Sequence, residues 1–201
     1  MPESHWRPAQ TTPLTLRLTG VMSLHNEVYM RGAGNHWHRC FEVETTHPLA
    51  RCSPLTLLLN IHDGYNFAEG TTVHFAGDLI GLNDGSQSII IRPDPIFEIG
   101  SHCLSHSLSQ LNVLEVSSRG RVKEHHVHKA EWTTLVVEHN VYVTHLDRWL
   151  LFTAIYVDIG NGVISSFGGV LLGAILNFRG HILEFSDVGH IWAVHCTVWQ
   201  S

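Results

Sequence analysis

The chain has 201 residues, 44% of them apolar and 15% charged, enough for a sizeable core and unlike the charge-rich composition of a disordered chain. Its formal charge of -6 and its scattered lysines and arginines, with no basic run, argue against a nucleic-acid partner. The four cysteines, Cys40, Cys52, Cys103 and Cys196, form no C-x-x-C pair, which excludes a zinc ribbon and a thioredoxin-type redox motif.

The opening stretch, MPESHWRPAQTTP, is polar and has no apolar signal core, and no N-x-S/T sequon occurs. With the cysteine usage, this points to a reducing, cytoplasmic setting. From there the strand signal begins. Leu14, Leu16 and Leu18 alternate with Thr15, Arg17 and Thr19, the period of a half-buried strand. The runs CFEVETT, LTLLLNI, TTVHF, SIIIRP, NVLEV, WTTLVVEH, NVYVTHL, WLLFTAIYV and HILEF follow in order. Many are separated by the turn chemistry of HDG, NDG, GNG and FRG. No capped amphipathic helix stands out. The expectation is an all-β fold, an antiparallel β-sandwich or jelly-roll barrel.

The Ser- and His-rich stretch GSHCLSHSLSQ suggests a linker over 101–110. It would divide a first half, 12–100, from a second, 111–201, that looks like a degenerate repeat; one continuous 201-residue sandwich is the alternative. Segment 159–178 carries no charge, is long enough to span a membrane as a helix, and has Gly169 and Gly173 at a helix-packing spacing. Gly160, Asn161, Gly162, Ser165, Ser166 and Asn177 dilute it, so strands joined by glycine turns are expected and a membrane partner is not.

Chemistry concentrates in GAGNHWHRCFEVE. Residues two apart on a strand share a face, so His36, His38 and Glu42 project together, and a histidine from another strand, such as His74, would close a metal site. Imidazole and carboxylate suit Fe, Mn, Ni, Zn or Cu alike. Two His-x-His pairs among 17 histidines are what composition supplies by chance, so Glu42, in the correct register, is the informative residue. The second half holds a weaker set: His126, His128, Glu131 and His190.

This arrangement resembles the cupin superfamily, small β-barrels whose first motif reads G-x5-H-x-H-x3,4-E-x6-G. HWHRCFE fits its H-x-H-x3-E part, and EGTTVHFAGD, with His74, loosely matches the second motif, with Asp78 where Asn is expected. Gly120, His126 and His128 fit G-x5-H-x-H, while Glu131 sits one residue short. The resemblance implies a metal inside the first barrel, with His36, His38, Glu42 and His74 inward as ligands. It also implies a metal-dependent dioxygenase or isomerase acting on a small polar molecule, and pairing into a homodimer.

Rival readings remain. RGHILEF looks like a galectin strand without the galectin sugar-binding residues, which leaves a non-catalytic, carbohydrate-binding β-sandwich module open. A self-assembling jelly-roll structural protein is a third. Among Trp37, Trp132, Trp149, Trp192 and Trp199 most are expected in the core, with one or two exposed and able to stack on a sugar ring. Cys40 reads as a small buried hydrophobe or a redox-sensitive thiol, and Arg92 as a solvated strand end or a carboxylate receptor.

Overall fold

A computed structural model of the chain describes residues 13–31, 37–45, 55–61, 64–100, 113–128, 132–143, 148–159, 170–186 and 189–200. All of its regular elements are strands: β1 (Leu16–Arg31), β2 (Trp37–Thr45), β3 (Leu55–Asn60), β4 (Thr72–Ile80), β5 (Ile89–Ile91), β6 (Ile96–Glu98), β7 (Leu114–His128), β8 (Trp132–Val143), β9 (Arg148–Ile159), β10 (Ile175–Ser186) and β11 (Ile191–Gln200). The all-β expectation therefore holds. The runs WTTLVVEH and NVYVTHL, read separately in the sequence, join into the single strand β8, and β11 had no strand reading of its own.

The strands close two circuits. In the first, β1 pairs with β4 along Arg17–Ser23 and with β2 along Leu24–Arg31. β2 then pairs with β3, β3 with β5 in parallel, and β5 with β4. In the second, β7 pairs with β10 along Glu115–Arg121 and with β8 along Arg121–His128. β8 pairs with β9, β9 with β11 in parallel, and β11 with β10. Each circuit is a five-strand barrel whose order is first, second, third, fifth, fourth. This differs from the expected antiparallel sandwich or jelly roll, because the fifth strand returns parallel to the third to complete each barrel.

One long strand can serve two neighbours only if it bends. β1 does so through a register shift between His25 and Glu27, with Asn26 at φ 23°, and β7 through one between Val122 and Glu124. An extra residue on one strand is the usual device for such a bend. The barrels are joined by an antiparallel seam, β1 against β7, from Leu16 opposite Ser118 to Gly20 opposite Leu114, with Leu18 facing Val116 at its centre. The first circuit runs from Leu16 to Ile91 and the second from Leu114 to Gln200; the expected linker, 101–110, lies outside the described residues.

Alternation sends one side of each strand inward. Leu18, Met22, Leu24, Phe41, Val43, Leu57, Leu59, Val73, Phe75 and Leu79 fill the first barrel. Val122, Leu135, Val137, Phe152, Ala154, Tyr156, Phe178 and Val194 fill the second. Each such side chain contributes roughly 1.5–3 kcal/mol of burial. Gly77 lies opposite Leu18, and Gly180 opposite Val116. A Cβ on Gly77 would stand 2.6 Å from Ile90 Cγ2, and one on Gly180 would stand 1.9 Å from the His195 carbonyl oxygen, so the fifth strand of each barrel lies directly over a glycine of the fourth.

Of segment 159–178, Ile159 ends β9 and Ile175–Phe178 opens β10, while residues 160–169 lie outside the described set. Among the described residues no helix is long and apolar enough to cross a membrane.

Candidate functional site

The residues singled out for metal binding do not meet. Phe41 and Val43 are the β2 side chains that fill the barrel, so His38 and Glu42 share the outer face instead of the expected inner one. Being four residues apart on a strand also separates them by about 13 Å. Glu42 Oε2 accepts a hydrogen bond from Asn26 Nδ2 at 2.7 Å. His74 stacks on Phe97 with ring centroids 4.9 Å apart. It pairs with Val21, whereas Glu42 pairs with His25 across the other flank of β1, which puts roughly another 13 Å between them. Metal bonds of about 2.0–2.3 Å cannot bridge such gaps. His36 lies outside the described residues.

The second set is also spread out. His126 Nε2 is 2.9 Å from Glu124 Oε2, and His128 Nε2 is 3.0 Å from Thr134 Oγ1. His190 sits beyond β10, with its carbonyl accepting from Asn83 Nδ2 at 2.9 Å; Glu131 lies outside the described residues. Among the described residues no three His, Cys, Asp or Glu side chains are grouped to hold a metal ion. The His-x-His repeat is also out of register with the fold: His38 is on the second strand of its barrel, His126 and His128 on the first strand of theirs.

Cys40 is buried, which pushes its thiol up to about 11 and makes it the hydrophobe rather than the reactive thiol. Arg92 is tied to Asp78 at 3.1 Å. Arg39 binds Glu27 at 2.8 Å and donates to the carbonyls of Tyr65 and Phe67; its hydrogen bonds hold the Glu27 carboxyl down near 2.

What the fold does assemble is a broad outer face on β8 and β9. Trp132 stands opposite Ile159, Val136 opposite Ile155, Glu138 opposite Thr153, Asn140 opposite Leu151 and Tyr142 opposite Trp149. The residues between them fill the core, so these side chains project away from it, although Asn140 is covered there, its Oδ1 accepting from the Leu14 amide at 2.8 Å. Trp132 is 42% exposed, Trp149 39% and Leu151 61%. The rings of Tyr142 and Trp149 lie 5.5 Å apart, and His128 stacks on Trp132 at 4.1 Å. Arg121 and Lys123 on β7 border this face, Arg121 opposite Glu138. The sequence marked Trp132 and Trp149 as tryptophans, but only strand pairing shows that they share a face, while Trp192 goes into the core and binds Ser88 Oγ at 2.7 Å.

A buried polar string stiffens the barrel beneath. His139 Nδ1 lies 3.2 Å from the Leu14 carbonyl and 3.1 Å from the Arg119 carbonyl, so it carries the proton and donates. Nε2 then accepts from the Tyr156 hydroxyl at 3.2 Å, and Ser118 Oγ donates to that hydroxyl at 2.5 Å. Burial lowers the His139 pKa to about 4 and keeps the ring neutral.

Two barrels in the order first, second, third, fifth, fourth define a tandem of OB-folds, a class whose second- and third-strand face takes oligonucleotides or oligosaccharides. No protein family and no curated protein matches the sequence. Among solved structures the chain is similar to the wild-type single-stranded DNA binding protein from Thermus aquaticus, with a TM-score of 0.55 and 9% identity over 94% of this chain and 93% of that one. It is also similar to a deletion mutant of the single-stranded DNA binding protein from Thermus aquaticus, with a TM-score of 0.52 and 9% identity over 93% of each chain. At that identity the likeness speaks for the fold.

That fold, shared with single-stranded DNA binding proteins and not the expected jelly roll, corrects the function expected from the sequence: a metal-binding cupin-like dioxygenase or isomerase, with a carbohydrate-binding module or a self-assembling jelly roll as alternatives. The expectation of no nucleic-acid partner falls with it. That expectation rested on net charge and on the absence of a basic run. Net charge sums over the whole surface, whereas a strand of nucleic acid meets one face, and strand pairing gathers residues that are far apart in sequence.

Proposed function

We propose that this chain binds single-stranded nucleic acid, with bases stacked on the outer face of β8 and β9. The observation that carries this reading is the placement of Trp132, with Ile159 opposite it, and of Tyr142 and Trp149, with Leu151 next along the ladder, on the second- and third-strand face of an OB barrel. Every base has a π-face, so such a platform takes single strands with little sequence preference, each stacked base contributing roughly 1–3 kcal/mol. Arg121 and Lys123 at its margin supply charge for the backbone, with Lys123 shared with Glu138 at 3.3 Å.

The test is fluorescence anisotropy with a labelled oligothymidine, followed alongside tryptophan quenching. Trp149→Ala is expected to weaken binding about tenfold, the equivalent of one stacked base. A duplex of the same length, its base faces hidden, is expected to bind much more weakly. Absence of oligonucleotide binding at low salt would sink the reading.

A further inference from the structure

On the far side of the seam lies a groove of about 340 Å³ that the β8–β9 face does not include. Arg17 on β1 and Arg179 on β10 both stand opposite Ser117 on β7, one on each flank. Arg119, two residues further along β7, stands opposite Asn177, which in turn faces Gln200 on β11. The chain has 18 acidic and 12 basic residues, yet three arginines and no carboxylate line this one groove.

The arginines are held differently. Arg17 is engaged, 3.3 Å from Asp78 Oδ1 and donating to the carbonyls of Ala76 and Asp94. Arg119 and Arg179 are exposed and make no ion pair among the described residues. Glu115 is on the same face of β7, one step beyond Ser117 and outside the groove. Beneath, the main chain is fixed: the Arg119 amide donates to the Thr15 carbonyl at 2.8 Å, and its carbonyl accepts from His139. Guanidinium, hydroxyl and amide donors around a rigid concavity match the acceptor-only oxygens of a phosphate.

The groove also leads somewhere. Arg119 and Arg121 alternate outward along β7, about 6.6 Å apart, and the β7 bulge then presents Lys123 beside the β8–β9 face. We propose that this seam groove binds phosphate, and that its phosphates belong to the backbone of the strand whose bases rest on β8 and β9. The second half of that statement rests on the function proposed above; the first does not.

The experiment compares the whole chain with the double variant Arg119→Ser, Arg179→Ser, and with Arg179→Gln as a milder change. Three probes are used: an oligothymidine of about eight nucleotides, within the reach of one barrel, one of about thirty, and inorganic phosphate followed by phosphorus NMR line broadening. Expected is unchanged affinity for the short strand, about tenfold loss for the long one, and a salt dependence shallower by about 1.4 in log–log slope for two lost contacts. Phosphate broadening should disappear with the same variants. Phosphate binding without any change in the long strand's affinity or slope overturns the backbone assignment and leaves a site for free phosphate. No effect on either probe overturns the groove altogether. If no oligonucleotide binds the native chain, the preceding proposal fails, and phosphate broadening alone decides whether the groove takes an anion.

Discussion

The two barrels share one strand plan and differ in almost everything the plan carries. Registers set the correspondence: Leu24 opposite Val43 in the first barrel matches Val122 opposite Val137 in the second, and Val43 opposite Leu57 matches Val137 opposite Ala154. On that footing His38 answers to Trp132, the pair Glu42–Leu58 to Val136–Ile155, and Glu44–Thr56 to Glu138–Thr153. The first barrel's outer face is acidic and partly roofed, with a cleft of about 280 Å³ between His38 and Asn60 on one side and Val143, Arg148 and Leu150 of the second barrel on the other. The second barrel's face is aromatic and open. The cores differ too: Gly20 and Leu59 in the first barrel stand where the second has Ser118 and Tyr156, the partners of His139. One topology thus supports an apolar barrel and a barrel with a buried polar string, and the aromatic surface belongs to the latter.

The glycines test the correspondence most severely. A methyl on Gly180 would meet the His195 carbonyl of the backbone, whereas one on Gly77 would meet mainly the Cγ2 methyl of the Ile90 side chain. Gly180→Ala should therefore cost more than about 3 kcal/mol, and Gly77→Ala about 1–3 kcal/mol. Urea unfolding midpoints would show this order. Equal and negligible losses would break the claim that both barrels close over a glycine.

The next effect separates the cores. His139 is neutral in the folded chain, with its pKa lowered from 6.5 to about 4. As pH falls, the unfolded chain takes up the proton first, so stability starts to drop near pH 6.5. The loss from this group reaches about 3 kcal/mol once pH is below about 4. Denaturation curves at pH 7, 6 and 5 should fall progressively in the native chain and be flatter in His139→Gln. A pH dependence between 7 and 5 that is identical in the two proteins would assign the effect to other groups.

The comparison also explains what could be read from the chain. Strand content was legible because period-two alternation, as in Leu14 to Thr19, is a local property, and turn residues mark the ends of strands. The closing of each barrel was not, because β3 beside β5 and β9 beside β11 are parallel pairings between distant segments, with no signature in either one. The His-x-His pairs misled for a related reason. Parity puts His38 and Glu42 on one face, but it fixes neither which face that is nor how far apart four residues of extended chain lie. Trp132, Trp149, Arg119 and Arg179 carry no motif at all. They become a platform and a groove only after pairing places them side by side.

The smallest effect sharpens the comparison furthest. Glu42 and Glu44 give the first barrel's outer face two carboxylates where the second has Val136 and Glu138. If a bound strand uses the aromatic face and the seam groove, Glu42 acts on it only at long range. At physiological salt the screening length is about 8 Å, so Glu42→Gln should strengthen oligonucleotide binding by less than about twofold. That small gain should vanish as salt is raised. A tenfold gain would mean that the strand crosses the first barrel's face as well, and that its acids, rather than the want of aromatics, keep that barrel the weaker partner. Repeating the substitution in Trp149→Ala separates the cases: independent faces give additive changes in free energy, whereas a strand lying across both gives coupled ones.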